Sequence, residues 1–177
     1  MKDDFIKPIV VLTLICLIVS GALAFTNSVT EPVIAEAAAV RTEAAMFEIM
    51  PNAKEFELIT FDEQPETVKE IYRATGADGI YTGFIIVLST DGFGGDIQIM
   101  FGISVGMKII QVKTLEHSET KGMGSKITEQ EFESQFTNVT RDLEGVDIIT
   151  GATVSSSAYI NAVKDALALF VDVPALD

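Results

Sequence analysis

The chain has 177 residues and a net charge of −14, with 26 acidic against 12 basic side chains. Its mean hydropathy is nevertheless +0.36. Lys2, Lys7, Asp3 and Asp4 cancel over residues 1–26, so the entire excess of negative charge lies in the rest of the chain, which would repel nucleic acid and anionic lipid surfaces. A single cysteine (Cys16) and a single histidine (His117) leave no intrachain disulfide and no ligand set for zinc or a cysteine-held cluster. Any redox chemistry would need an organic cofactor or a partner's metal.

The first element is apolar. Pro8 to Phe25, PIVVLTLICLIVSGALAF, is 18 residues without a charge. As a helix at about 1.5 Å per residue it spans roughly 27 Å, close to the ~30 Å of a bilayer core. A retained anchor is the preferred reading. The alternatives are a signal peptide cleaved after Ala22-Leu23-Ala24, a buried core helix and a pilin-like stalk. The acidic residue usual near the start of a pilin helix is missing. Lys2 and Lys7 precede the span, whereas Glu31, Glu36 and Glu43 follow it, so the positive-inside bias puts the amino terminus in the cytoplasm and the following domain outside.

Val33 to Met50, after Pro32 and stopped by Pro51, is expected to be helical, either as a connecting helix or as a continuation of the anchor. Its alanines favour helix, and Val33, Ala37, Val40, Ala44, Phe47 and Met50 recur at helical spacing. Strands are expected over Val68–Thr75, Ile80–Thr90, Ile97–Val105 and Lys108–Leu115. The turn cluster Asp91-Gly92-Phe93-Gly94-Gly95-Asp96 and Gly106-Met107 separate the last three. Thr128 and Glu131 are spaced for a capping box on a short helix to Phe136. Gly145–Ile149 reads as a last strand. Ser155–Val171 reads as an amphipathic helix, with Ile160, Val163, Leu167, Phe170 and Val171 on one face and Pro174 beyond it. The expected class is α+β: an amino-terminal transmembrane helix, then an antiparallel meander packed with helices. The expected divisions are a stub and span over 1–27, a connecting helix over 28–51 and a domain over 52–177.

Thr150-Gly151-Ala152-Thr153-Val154-Ser155-Ser156-Ser157 holds two threonines and three serines immediately before the last helix. A helix start presents unpaired N–H groups and a positive dipole end, which suits a phosphate. Capping by Ser155 or Ser156 accounts for one hydroxyl and leaves the rest unexplained.

Asp147-x-x-Thr150-Gly151-Ala152-Thr153-x-Ser155-Ser156 resembles the [S/T]GATxSS signature of the FMN-binding domain family. His117-Ser118-Glu119-Thr120-Lys121-Gly122-Met123-Gly124 resembles that family's HxETxGxG element, with Lys121 where many relatives carry proline. Gly92-Phe93-Gly94-Gly95 resembles its glycine-rich turn. With one span and a small acidic domain, the whole chain is similar to the G subunits of Rnf electron-transport complexes. The C subunit of Na⁺-translocating NADH:quinone reductase has the same kind of domain, and the short length favours the Rnf family. A cofactor-free anchored binding module is the rival of a different class.

The resemblance implies FMN esterified through its phosphate to Thr153. It implies an attachment loop of Thr150, Gly151, Ala152, Ser155 and Ser156, and a ring bed drawn from Glu119, Thr120, Gly122, Met123 and Gly124. His117 is either a tuning residue or a hydrogen-bonded loop residue. It further implies a flavin transferase for maturation, the other members of an ion-translocating ferredoxin:NAD⁺ oxidoreductase complex as partners, and lipid around residues 8–25. The chain would be an electron-transfer component that does not turn over alone. No GxGxxG joins a strand to a helix, so NAD binding by this chain is not expected. Tyr72, Tyr81 and Tyr159 are expected to pack, and Asp91 and Asp96 to flank a turn.

Overall fold

A computed structural model of the chain describes residues 2–61 and 64–170. Two compact units result, Met1–Arg41 and Thr42–Asp177. One helix, α1 (Lys2–Ile49), contributes to both and runs for 48 residues. Of the two arrangements open for Val33–Met50, the structure has the continuation: the helix runs through Pro32 without a break. A proline inside a helix removes one backbone hydrogen bond, and that loss is local. Thr26, Ser28 and Thr30 turn their hydroxyls back onto the carbonyls of Ala22, Phe25 and Thr26, at 2.9, 2.8 and 3.0 Å. The polar stretch that reads as an ending is thus absorbed by the helix. Within the first unit the apolar side chains of α1 are exposed, Leu17 at 71% and Phe25 at 72% among them. Among the described residues α1 is the one helix long and apolar enough to cross a membrane.

The second unit is built on a five-stranded antiparallel meander in chain order: β1 (Ala53–Ile59), β2 (Val68–Gly76), β3 (Tyr81–Asp91), β4 (Asp96–Ser104) and β5 (Ile109–His117). The four expected strands are present within two residues of their expected bounds. β1 is additional to them. Its sequence Ala-Lys-Glu-Phe-Glu-Leu-Ile alternates charge with apolar residues and it pairs only with β2, as suits an exposed edge. Glu57 on β1 forms an ion pair with Arg73 on β2.

Both faces of the sheet are covered. On β3, Phe84, Ile86 and Leu88 join one core cluster while Ile85 and Val87 join the other. This explains the unbroken apolar run of the strand, since a strand buried on both sides loses its polar alternation. The last turns of α1 supply Ala45, Met46 and Ile49 to the second cluster. Gly102 permits this approach, because a Cβ there would collide with Ile49. Lys113 of β5 pairs with Glu48 of the helix.

The first and larger cluster is closed by α3 (Thr153–Ala168), which packs on β3 through Tyr159, Ala162, Val163, Ala166 and Leu167. Ile160 lies at the margin of this core. The expectations for Val171 and Pro174 fall outside the described residues. A 3-10 turn Gly124–Thr128, a single helical turn α2 (Gln130–Glu133) and a second 3-10 turn Ser134–Phe136 replace the expected helix over Thr128–Phe136. No capping box forms. Thr128 ends the first 3-10 turn, so its hydroxyl donates back to Ser125 O at 2.9 Å, and Glu129 occupies the N-cap of α2 without a side-chain bond.

Glu133 accepts the Thr114 N–H of β5 at 2.7 Å. Burial raises its pKa, against the lowering effect of that N–H. The fully buried Tyr159 hydroxyl lies 3.3 Å from Thr114 Oγ1, and desolvation pushes its pKa well above the usual phenol value. These bonds tie α2 and α3 to the same strand. Gly145–Ile149 is no strand. Val146 N bonds back to Leu143 O, and Asp147 N is held by Gln135 Oε1 at 2.7 Å, so the segment's donors are taken without a sheet partner.

Candidate functional site

Three loops meet at one end of the sheet. The first is the β3–β4 hairpin turn, closed by Gly92 N to Gly95 O at 2.8 Å, with Asp91 paired to Asp96. The second leaves β5 at His117 and runs into the 3-10 turn at Gly124. The third enters α3. There Ala152 N bonds Ile149 O at 3.0 Å, making a four-residue turn whose third position, Gly151, has φ +88°. Only glycine takes that conformation without steric cost.

The serines of the third loop act as fasteners. Ser155 Oγ accepts Phe93 N of the hairpin turn at 3.5 Å. Ser156 Oγ accepts Ile149 N at 3.1 Å and donates to Ala152 O at 2.9 Å. Both are buried. Neither caps the helix: α3 begins at Thr153, its N-cap is Ala152, and no side chain bonds its first N–H groups. The helix starts two residues earlier than expected because the turn at Gly151 already redirects the backbone. Thr153 is exposed at the first helical position.

Glu119 connects the other two loops. It is 8% exposed, and its Oε1 accepts Gly94 N at 3.2 Å. A Cβ on Gly92 or on Gly124 would collide with its carboxylate, and one on Gly94 would collide with the Ser118–Glu119 backbone. One glycine of each motif, Gly92 and Gly124, is therefore explained by one buried side chain. Glu119 Oε2 is buried and has no hydrogen-bond partner among the described residues.

Between the loops lies a cavity of about 330 Å³, within the usual range for small-molecule sites. Its walls include Glu119, Thr120, Met123 and Gly124 from the second loop and Gly151, Ala152, Thr153 and Ser155 from the third. Eight of the twelve residues singled out in the sequence line it. Thr150 is exposed outside it, and Ser156 is buried behind it. Gly122 shapes the second loop, with φ +83° and its N–H on Ser125 Oγ at 2.9 Å. His117 lies off the cavity, and its Nδ1 accepts Glu119 N at 3.1 Å, a loop-fixing bond.

Two lining residues were missed, Phe93 and Val154. They are 77% and 56% exposed, and Met123 is 57% exposed. The signal for Phe93 was present: a bulky aromatic among glycines of a turn has no core to enter. Tyr159 is fully buried, and Tyr72 and Tyr81 are half-buried packing residues.

A family model described as the FMN-binding domain matches residues 92–168, a span from the glycine turn to the end of α3. Over nearly the whole chain, the sequence is 32% identical to the G subunit of the ion-translocating oxidoreductase complex of Methanosarcina acetivorans, covering 94% of each protein. The chain belongs to the family of these G subunits. Another relative, the G subunit of the Na⁺-translocating ferredoxin:NAD⁺ oxidoreductase complex of Acetobacterium woodii, is 26% identical, with 90% of this chain and 88% of that one covered. Among solved structures, NqrC of Shewanella oneidensis matches with a TM-score of 0.50 at 16% identity, over 67% of each chain. That likeness shows a shared fold. As a member of the G-subunit family, the chain carries an FMN-binding domain, and the matched span includes the three loops that bound the cavity.

The residues fit such a group. The cavity offers apolar walls at Phe93, Met123 and Val154, an uncapped helix start beside an exposed hydroxyl, and one buried acceptor left without a donor.

Proposed function

We propose that this chain is a membrane-anchored flavoprotein, carrying electrons through FMN joined by its phosphate to the Thr153 hydroxyl. It does so within a ferredoxin:NAD⁺ oxidoreductase complex that moves Na⁺ or H⁺. One observation carries the reading: three separate glycine-rich segments converge on a single cavity, with Thr153 exposed at its edge.

The roles follow from residue chemistry. The uncapped start of α3 stabilises a phosphate by roughly 0.3–1 kcal/mol. Gly151 and Ala152 let the phosphate come close to backbone. Ser155 holds the Phe93 turn, and Ser156 holds the attachment loop. Phe93, Met123 and Val154 offer apolar faces to the ring, while Glu119, Thr120 and the backbone of Gly122–Gly124 meet its polar edge. When bound, FMN supplies reversible uptake of electrons, chemistry that no side chain here offers. Among the described residues the one ionisable side chain lining the cavity is Glu119, whose carboxylate is engaged with Gly94 N rather than with the Thr153 hydroxyl. A separate flavin transferase must form the ester.

Residues 8–25 would lie in lipid, with the amino terminus cytoplasmic and the FMN domain on the extracytoplasmic side. The proposed divisions are residues 1–27, 28–51 and 52–177. The other members of the complex supply the electron donor and acceptor.

The test is the full chain produced with a flavin transferase, run on a denaturing gel under ultraviolet light. Fluorescence is expected at the protein's position, with an intact mass raised by one FMN less water. Thr153→Val is expected to abolish both. An unmodified mass in flavinylating cells sinks the reading.

A further inference from the structure

Glu119 is the only charged residue lining the cavity among the described residues. A carboxylate has about four acceptor positions, yet protein donors reach only Oε1, through Gly94 N at 3.2 Å. The other oxygen is buried and unpartnered. Buried acceptors are rarely left so, and two glycines, Gly92 and Gly124, make the room it occupies, since a Cβ at either would strike the carboxylate. A conformation this constrained, ending in an unused acceptor at a cavity wall, is incomplete as a purely structural arrangement.

The inference rests on the FMN reading above. FMN carries anionic and donor portions. A carboxylate repels the phosphate, which belongs at Thr153. The donors are the ribityl hydroxyls and the ring N–H.

We propose that Glu119 is the positioning residue of the cofactor: Oε1 pins the Phe93 turn through Gly94, and Oε2 accepts a hydrogen bond from a ribityl O–H or ring N–H of FMN. Its negative charge then also opposes reduction of the ring. Removing the charge favours the reduced cofactor in a two-electron, one-proton couple, in which the ring gains one net negative charge.

The test uses the full chain flavinylated by the transferase and purified in detergent. If the parent chain takes up no flavin, the FMN reading itself fails, independently of Glu119. Given a flavinylated parent, Glu119→Gln is compared with it by redox titration and visible circular dichroism. Both are read on the flavinylated fraction, so yield does not enter. The expected result is a reduction equilibrium shifted about tenfold toward the reduced form, a rise of about 30 mV for a two-electron couple, together with an altered flavin dichroism. Gly124→Ala keeps the charge and displaces the carboxylate. It should change the dichroism with a smaller shift in potential, and it serves as the second variant if Glu119→Gln does not fold. A parental potential and parental dichroism in either folded variant overturn the proposal.

Discussion

Between Ser156 and Tyr159, α3 passes from a cavity wall into a closed core. On the core side Tyr159, Val163, Ala166 and Leu167 are at most 2% exposed, and the one polar group, the Tyr159 hydroxyl, has Thr114 for company. On the cavity side, within the same helix, Val154 is 56% exposed. Its neighbours around the cavity repeat the pattern, with Phe93 and Met123 in water and Glu119 Oε2 buried without a donor. The core is complete with protein atoms alone. The cavity wall leaves apolar surface wet and an acceptor unmet, each unfavourable for folding alone. Stability and function are thus divided along one helix, and substitutions on the two sides should separate cleanly.

The largest loss of stability should come from the core. Phe101 is fully buried and sits between Ile86 of β3 and Val112 of β5. Phe101→Ala is expected to cost about 3–5 kcal/mol, read as a lower urea midpoint with an unchanged slope. The next largest belongs to the boundary. Ser156→Ala removes the partner of Ile149 N and should cost about 1–3 kcal/mol. It should also reduce flavin attachment at Thr153, because the freed loop no longer presents that hydroxyl in one conformation. A Ser156→Ala protein as stable as the parent and fully flavinylated would erase the boundary.

Legibility follows the same division. Strands β2 to β5 and α3 were readable because their side chains are chosen largely by burial, which leaves apolar runs and helical spacing. β1 was not, because an edge strand with Glu55 and Glu57 outward has the composition of a loop. Pro32 left a connecting helix and a continuous one both open, because a proline's cost is one bond in a 48-residue helix. Thr128 and Ser155 misled because a hydroxyl near a helix start has several acceptors and donors within reach, and which one it takes depends on where the preceding turn leaves the chain. The motif glycines marked the loops that line the cavity. The reason for Gly92 and Gly124, room for the Glu119 carboxylate, lies between segments 25 residues apart in sequence and has no local trace.

The smallest expected change in stability is also the sharpest test of the comparison. Phe93 and Phe101 are the same residue type within one hairpin, Phe93 in the turn between β3 and β4 and Phe101 on β4. One is 77% exposed and the other 0%. Phe93 contributes its backbone N–H to Ser155 and takes no part in either core cluster, so truncating its ring leaves those bonds in place. Phe93→Ala should therefore stay within roughly 0.5 kcal/mol of the parent in the flavin-free Thr153→Val background. In flavinylated protein the same substitution removes an aromatic wall from the cavity. The visible dichroism of the bound flavin should fall and its fluorescence should change. A Phe93→Ala protein that loses several kcal/mol without flavin would mean that the ring packs against protein after all, and the cavity wall would then be an ordinary part of the core.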